Sequence, residues 1–427
     1  MKCTFLSNER TEPNGPEIVN CGKTIIRPTD NLNVAYFTFL LSKVNWLFLY
    51  GLSSLDGKFE YFFDTFLSIV DIAFPIRTVK NRLNKSKPKK PKWLNANLFN
   101  LKEQCIDMYN KYVNSNNLEY RTAYLKLISK YKREISQAKL AYNCNRVINA
   151  NNKPRAIWSI VSESLGKNDA PSSNKYLSSL LPEKFNDTFV ENVRLTITSV
   201  PESNKDVQYY LQNLNTHITP SSFQIKNVSV EQVNKAIFSL SNSLSLDLYF
   251  LNSKIVKLAA PYISEVLTYL INLCIDNCTF PQCIKLSKVV PLFKKGDKSE
   301  YSNYRPVSIL PVFSKVFEIL INKQVMYYFE NNVLFSDNQY GFRPKRSTCL
   351  AIKDFMKNCI YNLDAKNNVV GKFYDMSKAF DTISHDVLLY KLSYYGFDNN
   401  SAQLIRSYLS NRFQAVSCNG SLSPFLP

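Results

Sequence analysis

The sequence predicts a mixed α+β protein, a helical N-terminal region followed by a C-terminal half in which helices are inserted between strands. Three observations predict it. Residues 93–148 repeat apolar side chains every three or four positions, the period of a helix buried on one face. From residue 225 onward, long helical patterns alternate with short apolar runs such as "KVVPLF" and "VVGKFYDMS". The chain has 427 residues, 45% apolar and 20% charged, enough for two or three domains with a sizeable core.

Residues 1–30 are too polar to promise much order. Residues 31–76 read as helices with aromatic faces, as in "FEYFFDTFLSIVDIAF". The most apolar run, "VAYFTFLLSKVNWLFLY" at 34–50, is broken by Lys43 and Asn45, so it reads as a buried helix rather than a membrane span. Arg77 to Lys92 then carries eight basic residues and no acid, with prolines that stop a helix from running through. It is either a solvated linker or a basic arm for a phosphate backbone, with Lys89, Lys90 and Lys92 as its contacts. Residues 93–148 suggest a pair of long helices or a helical hairpin with a Lys- and Arg-rich exposed face. Residues 150–224 read as a linker around one short helix near "EKFNDTFVENV". The expected divisions are therefore 1–92, 93–224 and 225–427.

In the last of these, Ser229 and Gln232 form a capping-box pattern before "VEQVNKAIFSL". "SKIVKLAAPYISEVLTYLINLCIDN" is a long amphipathic helix. "KLSKVVPLFKKGDK" reads as a short buried strand turning at Gly296, and "YSNYRPVSILPVFSKVFEILINKQVMYYFEN" as a loop and then a helix. "VVGKFYDMS" reads as a buried strand, "SHDVLLYKLSYYGF" as a helix, and "LIRSYLSNRFQAVSCNG" as a helix running into a strand.

The net charge of +19 favours a polyanionic partner, nucleic acid ahead of a membrane surface, although a Lys- and Asn-rich composition alone would also raise it. The ten cysteines show no secretory framework, and "MKCTFLSNERTEPNG" is too polar for a signal peptide, which fits a reduced, intracellular compartment, nuclear or cytoplasmic. With only His217 and His385, a zinc site is not expected.

Chemistry concentrates at "FYDMSKAFD", residues 373–381, where a buried strand would end on Asp375. A carboxylate there must be paired, with Lys378 as the nearest cation, or must bind a metal ion. Asp381 reads equally as an acid at a helix N-terminus. Nearby stretches are rich in cations: Lys288, Lys294, Lys295, Lys298 and Arg305 around one strand and loop, and Arg343, Lys345 and Arg346 beside Gly341. A basic turn of this kind suits a triphosphate or a nucleic-acid backbone, and a divalent cation on Asp375 would neutralise the same phosphates. Carboxylate, metal and basic loop together suggest nucleotidyl transfer.

The ordered series "VVPLFKKGD", "NYRPVSILPVFSKVFE", "NQYGFRPKRST" and "FYDMSKAFDTISHDVLLYKL", closed by "IRSYLSNRFQAVSCNG", resembles the reverse transcriptase of non-LTR retrotransposons, the LINE-type or jockey-like elements. The resemblance covers about Ile225 to the end, and the Lys-rich helices before it resemble the segment between endonuclease and polymerase. It implies a partial right-hand polymerase, with fingers and an incomplete palm, acting on an RNA template, a DNA primer and deoxynucleotide triphosphates with Mg2+. Asp375 would be the catalytic, metal-binding acid, with the backbone of Met376 beside the metal. Phe380 falls where the family places a steric gate against the ribose 2′-hydroxyl; simple packing is the other reading. Arg305, Arg343, Lys345 and Arg346 fall in stretches used on template or incoming nucleotide, and Lys288, Lys294 and Lys295 would meet nucleic acid.

The sequence also departs from that pattern. No Asp-Asp pair occurs in the 427 residues, nor does a Gly-Pro-Gln-type loop follow "SLSPFLP", and the family's glycines are gone from "SLSLDLYFLN" around Asp247. Two-metal catalysis needs several carboxylates holding cations roughly 3.5–4 Å apart. The resulting expectation is a truncated polymerase, inactive alone and poorly soluble because its palm strand lacks a neighbour. A non-catalytic RNA-binding protein and a functionless relic are the alternatives.

Overall fold

A computed structural model describes residues 23–80, 93–150, 152–165, 180–201, 203–212, 222–243, 245–376 and 378–427. The chain divides into two compact units, residues 81–174 and the remainder.

In the larger unit, β1 (Lys23–Ile26) pairs antiparallel with β2 (Arg77–Lys80), so the stretch expected to be poorly ordered ends in a strand. Between them lie α1 (Asn31–Ser42), α2 (Leu47–Gly51) and α3 (Leu55–Ala73), with Asp30 and Ser54 accepting hydrogen bonds from the first turns of α1 and α3. The apolar run at 34–50 is thus two helices, of which Phe37, Leu41 and Leu49 are buried while Phe39, Leu47 and Phe48 face outward. On α3, Phe59, Phe62, Phe63, Phe66 and Val70 recur at helical spacing and are all buried. Each such side chain contributes about 1.5–3 kcal/mol by leaving water.

The partner of that stripe comes from far along the chain. Phe313 of α11 (Val312–Asn331) stands 5.4, 5.9 and 5.3 Å from the rings of Phe62, Phe63 and Phe66. The helices of 31–76 therefore share one core with α9 (Val230–Ser239), α10 (Ser253–Asp276), α11 and α14 (Asn399–Leu409). The capping box at Ser229 and Gln232 is present in full. By length and composition α10 is apolar enough to cross a membrane, but most of its apolar window is buried in this core.

A four-stranded sheet, in the order β4-β3-β5-β6, makes a second core. β3 (Leu286–Phe293) and β4 (Tyr304–Ile309) are antiparallel, with Leu292 opposite Arg305, while β3 and β5 (Phe413–Cys418) are parallel. β6 (Ser421–Leu422) returns antiparallel to β5. The β3–β4 turn passes through Gly296 at φ 92, where a Cβ would meet the Asn303 side chain at 2.7 Å. β4 is a strand where the sequence pattern reads as loop; as an edge strand it tolerates Pro306, a residue without an N–H.

Covering one face of this sheet is α7 (Pro182–Ser199), far longer than the short linker helix expected. Phe185 and Phe189, one turn apart, pack with Val289, Tyr304, Val416 and Cys418. Asn186 is buried between them, donating to the Pro424 carbonyl (3.0 Å) and Ser423 Oγ (3.1 Å) and accepting from Gln414 Nε2 (3.0 Å). The short helix α8 (Val207–Gln212) follows. Two further helices, α12 (Thr348–Asp364) and α13 (His385–Tyr394), complete this unit.

"VVGKFYDMS" does not form the expected strand. Described residues 369–376 are irregular and exposed, with Val370, Phe373, Tyr374 and Met376 each at least three-quarters accessible. An apolar run becomes a strand only when a ladder partner takes its N–H and C=O groups, and no described strand lies beside it.

The smaller unit is a helical hairpin, as its pattern predicts. α4 (Ala96–Ser115) ends on Asn116 in the left-handed conformation, φ 52, and Asn117 caps α5 (Leu118–Ile148). Tyr109 on α4 stacks near Tyr124 on α5 at 5.3 Å, and Trp93 lies 4.9 Å from Lys139, so the two helices run antiparallel. α6 (Lys153–Ser164) attaches through a bidentate Arg146–Glu163 pair.

The buried centre of the larger unit is Asp247. Its carboxylate accepts N–H bonds from Tyr249 (2.9 Å), Leu251 (2.9 Å) and Val312 (3.0 Å), the last at the N-terminus of α11. Removing three acceptors at once strands three buried donors, so Asp247→Ala is expected to cost about 3–5 kcal/mol in urea unfolding; an unchanged midpoint would refute this anchoring role. Burial raises the Asp247 pKa from its ordinary 3.8 to about 6. The folded chain therefore binds this proton more tightly than the unfolded one, and stability falls as pH rises from about 4 to about 6. Asp247→Asn should flatten that fall in a comparison of unfolding midpoints across the same pH range. Independently, Phe185→Ala is expected to cost about 3–5 kcal/mol and to speed hydrogen exchange across 182–199; exchange unchanged there would show that α7 is held by something other than this sheet.

Candidate active site

The predicted site residues sit on three segments of the larger unit. The β3–β4 hairpin carries Lys288, Lys294, Lys295 and Arg305. Its alternation points Val289 and Pro291 to the inner face, and leaves Val290, Leu292, Arg305 and Val307 outward. Arg305, Lys294 and Lys295 are exposed at and near the hairpin tip. Lys288 is placed differently. It is half-buried, donates to the carbonyls of Leu246 and Asp247, and lies 6.0 Å from the Phe250 ring. Burial pushes its pKa down, opposed by the Asp247 charge. In this structure Lys288 serves the Asp247 loop.

The second segment is the loop of residues 333–347. Arg343 makes a bidentate pair with Glu330 (3.1 and 2.9 Å), donates to the Ser336 carbonyl at 2.8 Å, and stands 5.0 Å from the Phe335 ring. Its side chain is only 10% exposed. The hydrogen bond to Arg343 holds the Glu330 carboxyl below its usual range. Arg343 thus organises the loop, while Lys345, at φ 61, is exposed on it. Arg346 lies 3.8 Å from Asp337 and 5.5 Å from the Tyr340 ring. Tyr340 donates to Asp354 at 2.6 Å, tying the loop to α12.

The third segment holds Asp375, Met376, Phe380 and Asp381, all exposed. The alternative of an Asp375–Lys378 pair is not found: Lys378 reaches α7, donating to the Asn192 carbonyl and to Thr196 Oγ1 (2.9 Å). Phe380 meets Phe342 edge-on at 5.6 Å, which joins this segment to the Arg343 loop. Ser384, rather than Asp381, caps α13. Asp381 lines a cavity of about 430 Å³ with Arg194 and Thr198 of α7 and Pro306 and Ser308 of β4. It lies beside β4 of the hairpin. Lys89, Lys90 and Lys92 lie outside the described residues.

No described residue between Phe329 and Leu388 is fully buried, and Leu334 packs half-buried against the main core. This surface does not fit a divalent metal ion. Among the described residues no three His, Cys, Asp or Glu side chains converge as ligands, and Asp375 stands in an exposed irregular segment. Sequence reasoning also missed Glu330, Arg27 and Arg194. Glu330 carried one signal, a helical acid thirteen residues before an arginine, but nothing local marks the pair.

Comparison with known proteins adds to this geometry. The reverse transcriptase (RNA-dependent DNA polymerase) family matches residues 293–425, from the end of β3 through β6. A probable RNA-directed DNA polymerase from transposon BS of Drosophila melanogaster is 28% identical over 225 residues, covering 51% of this chain and 24% of that protein. The RNA-directed DNA polymerase from mobile element jockey of the same organism is 26% identical over 207 residues, 48% of this chain and 22% of that protein. A third relative, from transposon X-element, is 29% identical over 164 residues, 37% of this chain and 17% of that protein. The chain thus spans less than a quarter of the length of these relatives. With the ordered stretches of the sequence and their place on hairpin, loop and helix, these matches identify residues 293–425 as a reverse transcriptase domain of the jockey-like, non-LTR type.

Proposed function

We propose that residues 225–427 are the fingers and opening palm of an RNA-directed DNA polymerase, the part that receives an RNA template, a DNA primer and deoxynucleotides. The observation that carries this reading is the agreement of residues 293–425 with the family, on a β3–β4 hairpin whose exposed tip holds Lys294, Lys295 and Arg305. On this reading Lys294, Lys295 and Arg305 contact nucleic-acid phosphates directly. Arg343, already paired with Glu330, shapes the loop that presents Lys345 and Arg346. Phe380, held against Phe342, keeps the steric-gate position and favours deoxynucleotides. Asp375 is the acid the family uses for Mg2+.

The exposed, isolated setting of Asp375 favours a second reading for the chain by itself, in which it binds RNA without copying it. Both readings place cations on the same hairpin, and they differ only at the carboxylate.

Primer extension separates them. The purified 427-residue chain, given a primed RNA template, deoxynucleotides and Mg2+, is expected to extend no primer; robust extension that Asp375→Ala abolishes would overturn this and assign catalysis to the chain. RNA affinity is expected to stay within about twofold on Asp375→Ala, because a pure phosphate contact does not use that acid. Arg305→Ala should weaken binding and flatten the log–log salt dependence by about 0.7, the share of one phosphate contact on a single strand. An unchanged slope would remove Arg305 from the interface.

A further inference from the structure

We propose that the outer face of α5 is a binding surface for single-stranded RNA, a second one beside the fingers; its choice of RNA rests on the RNA-copying reading. Residues 81–174 hold 18 Lys and Arg against 6 Asp and Glu, a net +12 of the chain's +19. Much of the excess is on one element. α5 carries seven basic residues and two acids, whereas α4 carries two of each.

The geometry sorts these charges. The half-buried positions of α5, among them Tyr124, Leu127, Ile128, Tyr131 and Ile135, recur at helical spacing, with Tyr124 against Tyr109 of α4. On the opposite side Lys126, Lys130 and Arg133 follow at intervals of four and three residues, a single exposed line about 10 Å long along the axis. Arg121, Lys132 and Lys139 form a second exposed line, at intervals of eleven and seven residues.

A merely solvated helix face usually mixes signs, through acids three or four residues from each cation. Here only one acid stands at that spacing, Glu134 four residues after Lys130, and the two form no ion pair. Among the described residues, Arg146 is the only α5 cation in an ion pair, with Glu163 of α6 at 2.7 Å. Like charges so arranged repel one another, and a polyanion relieves that repulsion while releasing its counterions. The same unit exposes a flat aromatic platform: Trp158 of α6 is 69% accessible. A basic track with an exposed aromatic matches sequence-tolerant binding of single strands, whose bases are free to stack. A membrane surface is disfavoured because only scattered apolar side chains, such as Leu125 and Leu140, accompany the outer cations.

The test uses the full 427-residue chain and a fluorescein-labelled oligouridylate 30-mer, read by anisotropy from about 50 to 300 mM KCl. The charge-reversing triple variant K126E/K130E/R133E is expected to lose at least tenfold in affinity at the low-salt end. The milder K126Q/K130Q/R133Q, which keeps helix propensity and should preserve the circular dichroism spectrum, is expected to flatten the salt slope by about 2. Wild-type affinity and slope in both variants would overturn the proposal, whatever Arg305→Ala does. If the α5 variants lose RNA while Arg305→Ala does not, the fingers reading fails and this one stands. If the α5 variants lose binding to phosphatidylserine vesicles but keep RNA, the surface is a membrane contact and the proposal is overturned.

Discussion

A single buried carboxylate holds the larger unit together. Asp247 is 1% exposed and lies in a stretch with no regular structure, yet four parts of the chain meet at it. Its oxygens take the N–H groups of its own loop and of Val312 at the start of α11. Lys288 of β3 donates to its carbonyl. Three residues on, the loop reaches back to the N-terminal helices: Arg27 donates to the Phe250 carbonyl (2.9 Å), the Phe74 carbonyl (2.7 Å) and Asp71 (2.6 Å). Desolvation of the carboxylate opposes all of this, and three backbone donors, one of them at the N-terminus of α11, offset it. The loop also holds Phe250 at φ 57, a conformation costing a side-chain-bearing residue on the order of 1–2 kcal/mol. The Asp247 bonds therefore hold the loop against that strain.

The consequence for the site is a division of labour within one unit. Asp247, Phe313 and the α3 stripe make a frame that fixes the root of the β3–β4 hairpin. The described residues from 330 to 388 carry no fully buried side chain and are positioned largely by polar ties and ring contacts: Arg343 to Glu330, Tyr340 to Asp354, Phe342 to Phe380, and Lys378 to α7. Such contacts are worth little individually, and a surface made of them opens at low cost. The candidate catalytic acid Asp375 therefore sits on a weakly constrained segment, and Arg305 of β4 on a strand paired along its length with β3.

How much of this was legible in the sequence follows from which interactions are local. The capping box at Ser229, the glycine turn at Gly296 and the helical stripes of α3, α5 and α10 are decided within a few residues, and each stands where the pattern placed it. β4 and residues 369–376 are decided by neighbours instead. The first is a strand despite Pro306 because β3 lies beside it; the second is none despite its valines because no described strand does. α7 was underread because its Phe185–Asn186–Phe189 stripe acquires meaning only against a sheet more than a hundred residues away. At the site, Lys288 and Arg343 are a lysine and an arginine of basic stretches in the sequence, and structural ties in the fold, because their partners Asp247 and Glu330 are not marked locally.

The charge itself carries the last step. A chain enriched in lysine by composition alone would spread its excess in proportion to length, and residues 81–174 would hold about a fifth of it. They hold +12 of +19, leaving the larger unit with a modest surplus. Composition does not produce that inequality, and neither does folding, since α5 is a helix on propensity and its contact with α4 with or without unpaired cations on its outer face. Cations kept in lines without acids cost the isolated helix stability through self-repulsion. A polyanion bound along α5, the occupant proposed above, reverses the sign of that cost by relieving the repulsion.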